Sequence, residues 1–471
     1  MAALASLVER SEVLRIARQA LREHEPHLVG GSVRDLLMER PLVDFDIVVP
    51  ERSEAAAREL ASASGGHVFP LSERFGAWRV LARDRSWQAD LTPVREGAIE
   101  ADLALRDFTI NAMAFPLLGD EELLDPHGGR ADIEARVLRA LGERSYRDDP
   151  LRSLRLARLA CELEFSAEPE TKRLAAKYAG QILGVAAERV FYELRRLIVT
   201  EDVMTGLALM DEIRLVEVLL PELETQKGVE QNPYHHLDVW GHTLAVLESL
   251  LQLERDPEPV FGDAAQAVTH ELERPLGDDL TRGQALRLGA LLHDIGKPAT
   301  RRVSEEGRIL FWGHDQLGAE MSKAICQRLR TSVELAEFLS GLVRHHLRLG
   351  FLVHERPLSR RDVYRYLRSC EPVELEVTVL SVADRLATLG ERTREAAVQA
   401  HLTLARQLAA EALSWRANPQ QAPIRGDELI RELGLEPGPR IGELLELLRE
   451  AAFAGEASSR EEAIELARQA L

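Results

Sequence analysis

Asp44 and Asp46, in the run Val43-Asp44-Phe45-Asp46-Ile47-Val48-Val49, are the residues best placed for chemistry. Residues two apart on a strand point to one face, so the apolar Ile47–Val49 continuation predicts a strand that presents both carboxylates at its start. Such a pair suits two hard cations roughly 3.5–4 Å apart, which activate an attacking hydroxyl and neutralise charge on a departing pyrophosphate. The preceding Gly30-Gly31-Ser32-Val33-Arg34-Asp35 supplies the complementary half of a triphosphate site. His27–Val29 reads as a short strand, Gly-Gly-Ser as a turn, and a helix is expected from near Val33. Glycines let backbone approach a ligand, and free N–H groups at a helix start attract anions; Arg34 adds a planar cation suited to phosphate. Taken singly, Gly-Gly is often only a turn and Asp-x-Asp a solvated strand end. Their order and spacing together favour a functional site over either bland account. Asp90, on the alternating stretch Trp87–Arg95, is a candidate third carboxylate. Beyond it, Arg106 is a candidate for holding phosphate or ribose, Asp107 for accepting from a ribose hydroxyl, and Asn111 for bonding sugar or phosphate. The structural alternative for that cluster is a capped turn leading into a strand.

Positioning these groups needs a sheet on a larger scaffold. At 471 residues the chain exceeds one core, so about three or four domains are expected. Aromatics are sparse while Leu, Ala, Arg and Glu dominate, which favours a mainly helical protein with one smaller sheet region. Strand-like runs cluster early, at Leu28–Gly30, Phe45–Val49, His67–Pro70, Trp78–Ala82, Trp87–Leu91 and Asn111–Pro116 with Leu123–Leu124. After about Gly142 the period becomes helical, and an all-helical remainder is expected, broken at prolines that include those between Pro419 and Pro423. Asp256–Asp279, rich in Pro, Gly and acids, reads as a loop or insertion. Met1–Glu25 reads as an amphipathic helix and not a signal peptide. No apolar run is long enough to span a bilayer, so no membrane association and a cytoplasmic location are expected. Cys161, Cys326 and Cys370 form no disulfide or zinc pattern. The net charge of −19 argues against indiscriminate nucleic-acid binding, yet arginines concentrate between Arg130 and Arg196, a basic patch suited to binding one RNA selectively.

Gly30-Gly31-Ser32-Val33-Arg34-Asp35, then Asp44-x-Asp46, then Arg106-Asp107-Phe108-Thr109-Ile110-Asn111-Ala112-Met113-Ala114 resemble the bacterial-type (class II) tRNA nucleotidyltransferase and poly(A) polymerase family. Arg147–Arg158 is similar to that family's base-selecting helix, and by this likeness Asp149 and Arg152 would read the incoming base. Positions three apart share a helix face, and a carboxylate with a guanidinium can match the edges of cytosine and adenine. Arg155 and Arg158 continue the series as candidate nucleotide contacts; the bland alternative is a capped helix with a solvated arginine face. Glu188–Arg196 resembles the helix that buttresses the base reader. Two departures from the family pattern stand out: Leu105 precedes Arg106 where a second arginine is usual, and Asp148 stands where Glu is usual.

The helical half carries His242, His293-Asp294, His314, His345-His346 and Asp384, a set that resembles an HD-type phosphohydrolase domain. Imidazole and carboxylate donors suit Mn, Ni or Fe, and by the resemblance His314, His345 and His346 would complete a second metal position. The centre could act on RNA ends as a cyclic phosphodiesterase or phosphatase. The resemblance implies an α+β, mainly helical fold: a small mixed-sheet nucleotidyltransferase head at residues 1–142, an all-α neck at 143–205, an HD body at 206–400 and a helical tail at 401–471. It implies Mg²⁺ at Asp44 and Asp46, with tRNA, CTP and ATP as partners and CCA addition as the reaction. The alternatives are a poly(A) polymerase, an enzyme adding only CC or only A, or a metal phosphohydrolase with a non-catalytic RNA-binding head. Oligomeric state stays open.

Overall fold

The computed structural model describes residues 11–119, 122–355, 357–418 and 421–471, which form two compact units, Met1–Val218 and Leu219–Leu471. The expected amphipathic helix of the first 25 residues is described only from residue 11 on, where Glu12–Ala20 (α1) is helical and capped by Ser11. The expected break at Pro419–Pro423 lies partly outside the described residues.

In the first unit, β1 (His27–Val29), β2 (Asp44–Val49), β3 (His67–Ser72), β4 (Ala77–Leu81), β5 (Gln88–Pro93) and β6 (Ala114–Pro116) form one six-stranded sheet in the order β3-β4-β5-β2-β1-β6. Only β2 and β5 run parallel, so the sheet is mixed. Strand alternation divides β2 between its faces. Phe45, Ile47 and Val49 enter the main core with Leu28, Leu91, Leu14 of α1 and Leu60 of α3 (Ser53–Ser64), whereas Val48 packs on the other side with Leu103 and Ala112. Asp44 and Asp46 have the parity of Val48, so both stand on that second face.

Ser32 fixes the start of β2. Strand β1 pairs with β2 only at Ile47 and Val48, which leaves the Asp44 carbonyl and Asp46 N–H without a ladder partner on that side. The buried Ser32 hydroxyl takes both roles, donating to Asp44 O at 3.0 Å and accepting from Asp46 N at 2.7 Å. Ser32 sits in α2 (Gly31–Leu37), which begins two residues before the expected Val33 because Gly30 turns the chain at φ 67°.

Behind the sheet, α4 (Arg152–Leu163) and α5 (Ala187–Ile198) pack together as the neck. It is not purely helical, since Val137–Leu138 pairs in parallel with Ser166–Ala167. The Val203–Glu212 helix runs through the expected boundary at residue 205, and Glu395–Ala417 runs through that at 400. A helix whose amphipathic face continues gives composition no edge to detect. Asn111, expected to open a strand, closes a 3-10 turn at Thr109–Asn111, because its amide is drawn into tertiary bonds.

The second unit is built on α6 (Val239–Arg255), α7 (Arg282–Leu292), α8 (His314–Leu329), α9 (Val333–His345) and α10 (Glu374–Ala387). The Asp256–Asp279 stretch is ordered and not a loop: it holds helices Glu258–Phe261 and Ala265–Leu272 and one strand of the ribbon Pro275–Gly277/Leu280–Thr281. Pro259 fits a helix's first turn, and Val260, Phe261 and Val268 bury an apolar face that the surrounding acids disguise. A second ribbon pairs Arg302–Val303 with Ile309–Leu310. None of the described helices is long and apolar enough to cross a membrane. Cys161, Cys326 and Cys370 are buried free thiols.

Replacing Ser32 by Ala strands a buried N–H and a carbonyl. Urea unfolding should then show a loss of about 1–3 kcal/mol.

Candidate active site and metal centre

The first unit holds a cavity of about 590 Å³ where the second face of the sheet meets the neck, with Asp46, Asp90, Arg106, Asp107, Asp149 and Arg152 on its wall. Gly30 abuts two of these wall residues, Arg106 and Asp46. A Cβ there would lie 2.5 Å from Arg106 Nη1 and 3.3 Å from Asp46 Oδ2, so the missing side chain lets a cation and a carboxylate abut the turn. Asp46 faces Asp90 in register across the parallel β2–β5 pair. Asp44 is exposed at the start of β2 and is not part of the cavity's lining; Gln88 Nε2 donates to it at 2.7 Å. The Asp46 carboxyl is pushed up to about 6, first by burial and then by the charges of Asp90 and Asp44, against the pull of Arg106 and Arg155. Arg79 grips Asp90 through two bonds of 2.6 and 2.7 Å. Asp46 and Asp90, adjacent in register and both on the cavity wall, are oxygen donors of the kind a hard divalent ion takes.

Arg106 and Arg95 share the buried Asp102, with Arg95 Nε at 2.6 Å and Arg106 Nη2 at 3.1 Å. Neither Asp102 nor Arg79 is identified by the sequence reasoning; the four-residue spacing from Asp102 to Arg106 is the signal that could have found the first. Asp149 and Arg152 reach the same cavity, but each has partners. Asp149 accepts from Arg189 at 2.9 Å and from the Leu151 N–H at 3.3 Å. Arg152 donates to the carbonyls of Leu105 at 2.7 Å and Arg106 at 2.8 Å, and to Ser145 Oγ at 2.8 Å.

The other expected contact residues are joined in a chain of charge, of which Asp107 and Arg155 also line the cavity. Arg34 forks onto Asp35 and donates to Asn111 Oδ1 at 2.7 Å. Asn111 donates to Asp107 at 2.9 Å, and Arg155 joins Asp107 at 2.8 Å to Glu193 at 3.1 Å. Arg158, almost fully buried and away from the cavity, bonds Glu193 at 2.5 Å and pairs with Glu162. Burial would raise the Asp107 carboxyl, yet the Arg155 charge and the Asn111 and Arg155 bonds hold it well below the usual carboxylate range. A carboxyl depressed in the fold contributes stability that is complete above its unfolded value and fades as pH falls through the folded one. Asp107→Asn should therefore cost about 3 kcal/mol at pH 7, measured by urea unfolding. The difference from the parent should shrink progressively below about pH 4.

The second unit gathers its chemistry around Asp294, one residue past the C-cap of α7. Asp294 Oδ2 lies 3.0 Å from His293 Nε2 and 3.7 Å from His242 Nε2, while Oδ1 lies 3.3 Å from His314 Nε2 and 3.7 Å from His346 Nε2. Two ligand groups thus share one carboxylate, His242-His293-Asp294 and Asp294-His314-His346. Helix geometry sets the tautomers. The Nδ1 atoms of His293, His314 and His346 lie 2.7–2.8 Å from the carbonyls of Ala290, Phe311 and Val343, which leaves each Nε2 lone pair facing the cluster. Asp384 Oδ1 lies 3.0 Å from His242, and Lys297 Nζ 2.6 Å from Asp294. His345 turns away, its Nδ1 accepting from Arg348 Nε at 2.9 Å. The Nε2 atoms of His242 and His293 and both Asp294 oxygens are buried with no well-aligned hydrogen bond, although Lys297 and Asp384 stand within ion-pair reach. Such atoms are costly at this depth, and divalent ions between them would remove the cost. Metal analysis after dialysis against Mn²⁺ should find Asp294→Ala depleted at both positions, His242→Ala and His314→Ala each depleted at one, and His345→Ala unchanged.

Comparison with known proteins agrees with this layout. Residues 26–139 match the model of the Poly A polymerase head domain, 164–227 that of the probable RNA and SrmB-binding site of polymerase A, and 239–389 that of the HD domain. The A-adding tRNA nucleotidyltransferase of Deinococcus radiodurans is 35% identical over 442 residues, covering 93% of each chain. The CC-adding tRNA nucleotidyltransferase of Thermus thermophilus is 34% identical over 447 residues, covering 92% of this chain and 91% of its own. A Thermotoga maritima CCA-adding enzyme solved with tRNA shares the fold at a TM-score of 0.61 and 22% identity, covering 98% of this chain and 97% of its own. With these three models matched in order along the chain and a 35% identical relative covering 93% of it, the chain belongs to the bacterial-type tRNA nucleotidyltransferase and poly(A) polymerase family.

Proposed function

We propose that this enzyme adds C, A or both to the 3′ end of tRNA from CTP and ATP without a nucleic-acid template, working in the cytoplasm. One observation carries the reading: Asp46 and Asp90 lie side by side on parallel strands against the Gly30 corner, in the same cavity as Asp149 and Arg152. Asp44, Asp46 and Asp90 would hold Mg²⁺, which supplies activation of the RNA 3′ hydroxyl and neutralises charge on the pyrophosphate.

The chain's own groups do the rest. Gly30 and Gly31 open the corner to a triphosphate, and Ser32 keeps the Asp44–Asp46 backbone in register. Arg106, held by Asp102, offers its cation beside the carboxylates, where pyrophosphate charge develops. Asp149 and Arg152 select the base; Arg152 is steadied by carbonyls of the head's own turn, so base choice is read from a surface fixed to the catalytic face. Arg34, Asn111, Asp107, Arg155 and Arg158 position these groups through the buried charge chain.

A second activity is favoured by the two buried His/Asp groups that share Asp294: hydrolysis of phosphoesters at the body centre with Mn, Ni or Fe.

Labelled CTP and ATP, supplied separately and together to a tRNA ending before CCA, test the polymerase reading. Incorporation should occur, and Asp46→Ala should lower it by roughly a thousandfold, the rate equivalent of several kcal/mol of lost charge stabilisation. Asp294→Ala should leave it intact. Repeated ATP incorporation onto unrelated RNA would instead identify a poly(A) polymerase, and an unaffected Asp46→Ala variant would overturn the head's assignment.

A further inference from the structure

The body centre opens into a cavity of about 1210 Å³ whose rim is unusually aromatic. Trp312 is 75% exposed, Phe351 65% and Tyr234 48%, and all three line this one space. Exposed large apolar side chains gathered at one cavity mark a binding surface and not chance. Trp312 lies two residues before His314 and Phe351 five after His346, so both rings are rooted beside the Asp294-His314-His346 half of the cluster. The same lining carries three arginines among its carboxylates. Arg385 follows Asp384 directly, and Arg392 and Arg394 lie just beyond; none of the three forms a salt bridge among the described residues. The Arg385 Nε is buried with no hydrogen-bond partner. Guanidinium groups that the fold leaves unpaired suit phosphate oxygens, and flat rings in the same cavity suit a nucleobase face.

We infer that Trp312 and Phe351 form a base-stacking subsite beside the body centre, with Arg385, Arg392 and Arg394 holding the phosphate, so that the centre takes phosphoesters bearing a nucleobase in preference to sugar phosphates. This rests on the phosphohydrolase reading of the same centre and names its substrate class. The subsite is distinct from the head cavity, where base edges and not base faces are read.

The test uses the full chain loaded with Mn²⁺. Titration with adenosine 3′-monophosphate should quench tryptophan fluorescence, and Trp312→Leu should abolish that quenching. In parallel, hydrolysis of bis(p-nitrophenyl) phosphate is inhibited with adenosine 3′-monophosphate or ribose 5-phosphate. The nucleotide should inhibit about tenfold more tightly than the sugar phosphate, and Trp312→Leu should bring the ratio close to one. Equal inhibition by the two compounds, with no Trp312-dependent quenching, overturns the subsite. Absence of hydrolysis with Mn²⁺, Ni²⁺ or Fe²⁺ overturns the phosphohydrolase reading, while the quenching arm still decides whether a base stacks there.

Discussion

Everything in the first unit depends on one close approach, that of the Asp46 carboxylate and the Arg106 guanidinium to the bare α-carbon of Gly30. A side chain at Gly30 would occupy the place where the cation sits, and its φ of 67° is one that other residues adopt at a cost. Because the corner stays empty, a negative and a positive group can both face one small cavity from neighbouring elements. Ser32 then converts proximity into register, replacing the ladder bonds that β1 no longer provides.

Carboxylates crowded at one strand end repel one another, and the fold accepts that cost by surrounding them with paired charge. Arg79 holds Asp90, and Asp102 holds Arg95 and Arg106. The chain from Asp35 through Arg34, Asn111, Asp107 and Arg155 to Glu193 ties the glycine turn to both neck helices. Buried pairs of this kind add little net stability over apolar packing, but losing one partner strands the other. Their consequence here is geometric: Asp149 and Arg152, proposed to read the base, are tied to the same elements as Asp46 and Arg106. The body solves a similar problem differently, using backbone carbonyls to orient imidazoles around a single shared carboxylate.

Much of this was legible from sequence, and the reasons differ by residue. Asp44 and Asp46 lie on a strand whose period of two is unambiguous, so their common face followed directly. The HD cluster was readable because its ligands come in a characteristic order, though His345 and His346 could not be told apart without knowing which faces the interior at the end of α9. The Asp256–Asp279 helices were hidden because helix formation there relies on a few buried apolar residues among many acids. Asp102 and Arg79 were missed because their importance lies in whom they touch. Arg34, Asn111 and Arg158 carry residue types suited to ligands, and only tertiary geometry assigns their bonds to protein partners.

The claim that matters most is that Asp44 and Asp46 grip divalent cations beneath a nucleotide at the Gly30 corner. Anomalous diffraction from crystals grown with Mn²⁺ and CTP tests it directly. Manganese density in contact with both carboxylates, with the triphosphate lying against Gly30 and Gly31, is the predicted result. Manganese confined to the Asp294 cluster, or a triphosphate bound away from Asp46, would contradict it.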